Sequence, residues 1–274
     1  MVAPFGLSIA QQIAARFAAQ PEVTAVALGG SRSTGAADPR ADIDLYVYAA
    51  PPIAVATRAA IASAMAAPGP REIDNHFWEP GDEWALASAD DTLRIDIMYR
   101  APAWIEAELD RVLVRHEASL GYSTCLWHNV RHASVLYDRD GWFAQLQGIA
   151  AAPYPEELRR ATVATNRAVV RGIHSSLLHQ LERAVERGDR VAVQHRLTAI
   201  LASYFDILFA TNRRTHPSEK RLVALALEQC DRLPANFPAS LTILLDTPPG
   251  PATLDLVVTL LNDLDTLLLA EGLR

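Results

Sequence analysis

Cysteine and lysine are nearly missing from this chain. Only Cys125 and Cys230 occur, without CxxC spacing, so they build neither a zinc site nor a disulfide framework. That usage suits a reducing compartment, and a cytoplasmic location is expected. Of the 25 basic residues all but Lys220 are arginine. No apolar run approaches the length of a membrane span, so no membrane association is expected. The stretch "MVAPFGLSIAQQIAARFAAQPE" has no basic segment ahead of an apolar one, and its periodicity is that of a surface helix rather than a secretion signal. Neither GxxxxGK(S/T) nor GxGxxG is present, which removes the P-loop and the dinucleotide fingerprint. Internal repeats and low-complexity tracts are absent too.

What is present is divided unevenly. Half of the 274 residues are hydrophobic, enough for a substantial core. Residues 1–152 carry 18 acidic and 11 basic side chains, net −7, whereas the remainder carries 14 of each. The acidic half repels a free polyanion and attracts a divalent cation. With no basic tract anywhere, a nucleic-acid partner is disfavoured.

Periodicity divides the chain in the same place. Ile9–Ala19 reads as a helix stopped by Pro21, and Glu22–Leu28 as a strand ending at Gly29-Gly30. "ADIDLYVYA" is a second strand, with Asp42 and Asp44 on one side and Ile43, Leu45 and Val47 on the other. An Ala-rich helix follows Pro51-Pro52. "REIDNHFWEPGDEWALASADD" suggests short strands about a Pro-Gly turn, and "TLRIDIMYR" a strand with Arg94, Asp96 and Met98 on one face. After a helix from Pro102 and a short strand "ASVLYD", the texture changes at "AAPYPEEL". Amphipathic helices then take over at Glu156–Arg187, Arg190–Thr211, Glu219–Cys230 and Thr253–Ala270, with a Pro-rich break from Leu233 to Pro251. A mixed α/β unit followed by an all-helical one, divided near residues 150–157, is the expected organisation.

Two carboxylates at i and i+2 on a strand share a face and repel unless a cation sits between them. Magnesium suits such a pair, because it takes carboxylate and phosphate oxygens together. Glycines just upstream let backbone amides approach a phosphate, and Ser31 adds a hydroxyl. Asp96 on a neighbouring strand would supply the third carboxylate of a two-metal site.

Gly-Gly-Ser, ten residues, Asp-hydrophobic-Asp-hydrophobic and a later lone Asp on a strand together resemble the nucleotidyltransferase superfamily typified by DNA polymerase beta. The resemblance covers Leu28 to about Tyr99 and implies an α/β (α+β) catalytic domain with a mixed sheet over residues 1–152. It also implies transfer of a nucleoside monophosphate from a triphosphate to a hydroxyl with two Mg²⁺ ions. On that footing Gly29, Gly30 and Ser31 grip phosphate, Asp42 and Asp44 bind both metals, and Asp96 stands near the attacking hydroxyl. Arg32 would pair with a triphosphate oxygen, and Lys220 would reach the β- and γ-phosphates. "NHFWEPGDEW" and "FDILFATNRRTHPSEKR" resemble the DUF4037-type bacterial nucleotidyltransferases. Aminoglycoside nucleotidyltransferases share the two-part plan. There an all-α helical bundle, here residues 153–274, helps form the substrate cleft.

The expected activity is therefore Mg²⁺-dependent transfer of AMP from ATP to a small hydroxyl-bearing acceptor, with release of pyrophosphate. A protein hydroxyl as acceptor, as in AMP-adding regulators and antitoxin-like nucleotidyltransferases, and a catalytically idle nucleotide sensor are the alternatives. A homodimer is compatible with the sequence, which does not fix the oligomeric state. Each residue also has a bland explanation. Asp42 and Asp44 fit the wet side of an edge strand, Asp96 an ion pair with Arg94 or Arg100, and Arg32 and Lys220 a solvated surface. Glu79, Asp82 and Glu83 either line a cationic-acceptor pocket or decorate a hairpin whose Trp78 and Trp84 are core. His128 and His132 have helical spacing but no third ligand. Arg111…His116 and Arg190…His195 are similar to the Arg…His pair of HEPN-type ribonucleases, a spacing that also arises by chance. Ser218 fits the N-cap of the helix that follows it.

Overall fold

The computed structural model describes residues 5–30, 42–65, 71–75, 80–87 and 92–274. Two packed units emerge, Met1–Leu109 with Asn129–Ala152, and Asp110–His128 with Pro153–Arg274. Among the described residues no helix is long and apolar enough to cross a membrane.

The first unit is built on a mixed six-stranded sheet. Helix α1 (Phe5–Ala18) leads to β1 (Val23–Leu28) and β2 (Ile43–Ala49), and α2 (Val55–Ala64) to β3 (Arg71–Asn75), β4 (Gly81–Ala87) and β5 (Thr92–Arg100). In chain order helices α3 (Pro102–Leu113) and α4 (Cys125–His132), strand β6 (Ser134–Asp138) and helix α5 (Trp142–Ala150) follow, with residues 110–128 belonging to the second unit. The strand order is β3-β4-β5-β2-β1-β6. Only β2 and β5 run parallel; the other neighbours are antiparallel. Alternation explains how β2 sits. Ile43, Leu45 and Val47 are fully buried with Ile95 and Ile97 of β5, under Ile13 and Phe17 of α1. Trp84 of β4 packs in the same core, stacked on Phe17.

A buried ion pair pins the β3–β4 hairpin. Arg58 of α2 donates to Asp82 (3.1 Å) and to Asp74 (2.5 Å), and the Tyr99 hydroxyl donates to the other Asp82 oxygen at 2.6 Å. Asp74 N–H adds a bond to Asp82 Oδ1 at 2.9 Å. Burial, then the Asp82 charge, keeps Tyr99 protonated far above the usual phenol range. Asp82 is thus a structural member of the hairpin, its charge satisfied by three donors and bound to Arg58.

The second unit is helical, with α6 (Glu156–Arg167), α7 (Leu177–Glu186), α8 (Arg190–Thr211), α9 (Leu222–Gln229), α10 (Ala239–Asp246) and α11 (Pro251–Ala270). The single helix expected over Glu156–Arg187 is interrupted. A π-helical turn at Ala168–Gly172 ends the first part, and Ser176 caps the second by accepting from His179 N–H. The Pro-rich break carries the short α10. The helix expected from Glu219 starts at Leu222, so Ser218 is not its cap; its N–H donates to His216 Nδ1 instead. Tyr204 to Thr211 of α8 are buried on all sides, and the Arg159 guanidinium donates to the Thr211 carbonyl, satisfying that helix end.

One carboxylate lies within that apolar run. Asp206 accepts from Ser123 N–H (3.1 Å), Ser123 Oγ–H (2.6 Å) and Asn166 Nδ2 (3.0 Å). Gly121 N–H donates to Asn166 Oδ1 and His216 N–H to Thr124 Oγ1, so Gly121–Thr124 is fastened to the helices. Burial outweighs the donors and pushes the Asp206 carboxyl up to about 6. A raised acid favours the protonated folded form, so its contribution is complete below about pH 4 and is lost as pH rises through about 6. Ser123→Ala removes a donor to the ionised form. It should cost about 2 kcal/mol at pH 7.5 and roughly half that at pH 4.5, measured by urea unfolding at both values.

Candidate active site

The site begins where β1 ends. Gly29 N–H donates to the Asp44 carbonyl at 2.8 Å, extending the β1–β2 ladder by one bond. A Cβ on Gly29 would stand 2.6 Å from the Tyr46 ring. Gly30 has φ +63°, and a Cβ there would stand 1.9 Å from Asp44 Oδ2. Both glycines are therefore required, one by a ring and the other by a carboxylate and a left-handed backbone. The turn lies directly against the second carboxylate of the Asp-Ile-Asp pair.

Strand register brings the third carboxylate to the second. Asp44 and Asp96 are direct partners across the parallel β2–β5 ladder, so their side chains share one face. Ordinary strand spacing sets their backbones about 4.8 Å apart. Both are half-buried, on the face opposite Ile43, Leu45 and Ile95. The row continues, since Asp96 faces Glu83 on β4 and Glu83 faces Glu72 on β3. Four carboxylates thus cross four adjacent strands in register. Asp42, also half-buried, lies just ahead of β2 on the Asp44 side of the chain.

A cleft of about 470 Å³ opens over this row. Asp42, Asp96, Glu83 and Glu72 line it, with Arg71, Arg94, Trp84 and Ala85. Asn75 Nδ2 donates to Glu83 Oε1 at 2.6 Å and orients that carboxylate. Acidic groups outnumber the two arginines, so the cleft favours cations. Among the described residues no three His, Cys, Asp or Glu side chains are drawn together as a ready-made metal cage. The donor set is nonetheless all carboxylate oxygen. That fits magnesium, which binds through one or two carboxylates plus phosphate oxygens and retains water rather than requiring a protein cage.

The other expected residues fall as follows. Ser31, Arg32, Trp78 and Glu79 lie outside the described residues. Lys220 is exposed in the turn before α9 of the helical unit, between Ser218 and Arg221, both of positive φ. His128 Nδ1 bonds Thr215 Oγ1 at 2.8 Å, a packing role rather than half of a metal pair. Arg111 donates to the carbonyls of Glu117 and Ser123, which ties down a loop and leaves the ribonuclease-like pairing without support there. Glu72 went unnoticed in the sequence; its only signal was a carboxylate alternating through "REIDN".

Comparison with known proteins gives a family match to a part of the chain. Residues 123–222 match the model of DUF4037, a domain of unknown function. That is the group which the stretch Phe205–Arg221 resembled. The match runs from just before α4 to the first residue of α9 and leaves the strands bearing Asp42, Asp44 and Asp96 outside it. No curated protein matches the chain. Among solved structures, a nucleotidyltransferase-like protein from Exiguobacterium sibiricum 255-15 superposes with a TM-score of 0.44 and 12% identity, covering 97% of this chain and 76% of its own.

Contact between Gly30 and Asp44 can be isolated experimentally. Gly188 has nearly the same φ, +68°, with nothing within 4 Å of an added Cβ. Gly188→Ala should cost only the left-handed backbone term, about 1 kcal/mol. Gly30→Ala should cost at least about 1 kcal/mol more in the same thermal or urea measurement, through displacement of the Asp44 carboxylate. Equal costs would show that the turn does not bear on Asp44.

Proposed function

We propose that this protein is a Mg²⁺-dependent nucleotidyltransferase that moves AMP from ATP to the hydroxyl of a small acceptor. The observation that carries the reading is the in-register pair Asp44–Asp96, with the Gly29-Gly30 turn closed against Asp44. This turn offers backbone amides and, with Ser31 and Arg32, the donors for a triphosphate. Asp42 and Asp44 would hold the metal ions. Bound magnesium would supply charge neutralisation of the triphosphate and acidify the attacking hydroxyl.

The remaining chemistry falls to the chain itself. Asp96, one strand from Asp44, positions the acceptor hydroxyl and receives its proton, which passes on to solvent. The acceptor oxygen forms a bond to the α-phosphorus as the bond to the bridging oxygen breaks. Pyrophosphate leaves with that electron pair. Holding both reactants on one rigid pair of strands contributes through proximity and orientation. The proposal extends to Lys220 as a charge partner of the β- and γ-phosphates, and to residues 153–274 as a substrate-binding part. An unchanged nucleotide affinity in Lys220→Ala would remove Lys220 from the scheme.

Incubation of the purified chain with α-labelled ATP, Mg²⁺ and an acceptor mixture should move label into small molecules with release of pyrophosphate. Asp44→Ala should reduce both to background. Equal labelling by the two proteins would sink the proposal. Label appearing in protein, after incubation with a cell lysate, would assign a protein hydroxyl as acceptor. Mg²⁺-dependent nucleotide binding without pyrophosphate release would mark a sensor.

A further inference from the structure

We propose that Tyr46 is a positioning residue of the nucleotide site, its ring acting as the backstop that aims the Gly29-Gly30 turn at the triphosphate. This rests on the nucleotidyltransferase reading for what the turn holds. What it adds is the side chain that sets the turn, and with it a determinant of nucleotide affinity beyond the Asp-Ile-Asp pair.

Alternation places Tyr46 where it can do so. It follows Asp44 by two residues on β2, so both leave the strand on one face, about 7 Å apart along the chain. Its cross-strand partner on β1 is Ala27. Val26 and Leu28 of β1 belong to the apolar core with α1, whereas Ala25, Ala27 and Gly29 alternate onto the other face. A face of such small residues leaves room for a ring, and the Tyr46 ring lies against Gly29. A Cβ on Gly29 would stand 2.6 Å from Tyr46 Cε2 and 3.2 Å from Cδ2.

The turn is therefore caught between consecutive outward side chains of one strand. The Tyr46 ring bears on Gly29, which is buried, and the Asp44 carboxylate bears on Gly30, which is exposed. The Gly29 N–H already donates to the Asp44 carbonyl at 2.8 Å. Two contacts and one hydrogen bond thus fix the position and tilt of the peptide joining the glycines. They set the direction of the backbone that follows it.

A backstop works only if it is itself held. The Tyr46 hydroxyl, at the far end of the ring from the strand, accepts from Asn129 Nδ2 of α4 at 3.2 Å. Helix α4 is fastened there by Gln147 of α5, whose Nε2 donates to the carbonyls of Val130 (3.0 Å) and Ala133 (2.9 Å). Next along β2, the Tyr48 ring packs on Trp142 and Phe143 of the same α5. Tyr46 is anchored at one end by its strand and at the other by a pinned helix. Such support matters because a donor displaced by about 1 Å loses much of its bond to a phosphate oxygen.

The test is a double-mutant cycle, read by calorimetric titration of the full chain with a non-hydrolysable ATP analogue and Mg²⁺. Tyr46→Ala should weaken binding about tenfold or more, the scale of one hydrogen bond to a charged phosphate. Tyr46→Phe keeps the ring and loses only the Asn129 bond, so it should stay within about threefold of wild type. Gly29→Ala should also weaken binding about tenfold in the wild-type chain, because the added methyl drives against the ring. In the Tyr46→Ala background that clash is gone, and the same change should alter affinity by less than about twofold. Where circular dichroism shows that alanine at position 46 prevents folding, Tyr46→Leu takes its place in the cycle. A merely structural tyrosine would lower the melting temperature and leave the affinity of the folded chain unchanged. That result, a Gly29→Ala penalty equal in both backgrounds, or a Tyr46→Phe loss as large as that of Tyr46→Ala would each overturn the proposal. Failure of the wild-type chain to bind the analogue counts against the transferase reading and this assignment together. Equal binding by wild type and Tyr46→Ala removes the assignment alone.

Discussion

The pairing of β2 with β5 is the constraint on which the rest of the first unit depends. Side chains on a strand alternate, so a slip of one residue would bury Asp44 or Asp96 and expose Ile43 or Ile95. The energies are lopsided. Burying each of Ile43, Leu45, Val47, Ile95 and Ile97 is worth about 1.5–3 kcal/mol. Like charges facing one another on the half-exposed side cost up to about 1 kcal/mol per pair. The apolar face therefore dictates the register, and the carboxylates are carried into alignment by it. Their repulsion is tolerated because the opposite face is so well packed.

That arrangement needs a backbone that can come close. Gly29 stays in the β1–β2 ladder, and Gly30 turns out of it into the left-handed region beside Asp44 Oδ2. Any side chain at Gly30 would occupy the space of the carboxylate. On the other flank the hairpin is fixed by a different device, a buried Arg58–Asp82 pair completed by Tyr99. Such pairs contribute little net stability once desolvation is counted, but losing one partner is expensive. The pair acts to hold β4 in place, and with it the row that continues through Glu83 and Glu72.

Local pattern explains what could be read from the sequence. The strand "ADIDLYV" and its counterpart "RIDIMY" announce their two faces by alternation alone, so which side of its own strand each of Asp44 and Asp96 takes was legible. Their direct partnership was not, since register between strands some fifty residues apart depends on three-dimensional packing. Glu72 stayed hidden for the same reason, and the pattern left Asp82 between a pocket wall and a hairpin, a choice that its ion pair with Arg58 decides for the hairpin. In the helices, the hydrophobic period continued across Gly172 and through residues 173–176, where a π turn and a serine cap end one helix and start another. Helix α10 was obscured by prolines at both ends. Asp206 is one polar residue in an apolar helix, and nothing local marks its role, because its partner Ser123 is far upstream in sequence.

The placement of buried polar groups divides the labour within the chain. Inside the stretch matched to DUF4037, Ser123, Asn166 and Asp206 bond mainly to one another and to nearby backbone, and His216 is tied to Thr124 and Ser218. Closed hydrogen-bond sets of this kind specify a single packing, since each donor removed leaves a buried acceptor unpaired. In the sheet unit the buried Arg58–Asp82–Tyr99 set closes in the same way, but the carboxylates of the open sheet face do not. Asp42, Asp96, Glu72 and Glu83 gather around a cleft rather than closing on one another. A row of like charges is an inefficient way to build a sheet face but an effective way to concentrate cations. Excess carboxylate charge is therefore concentrated on the strands. In the matched segment, polarity serves mainly to hold helices and loops together.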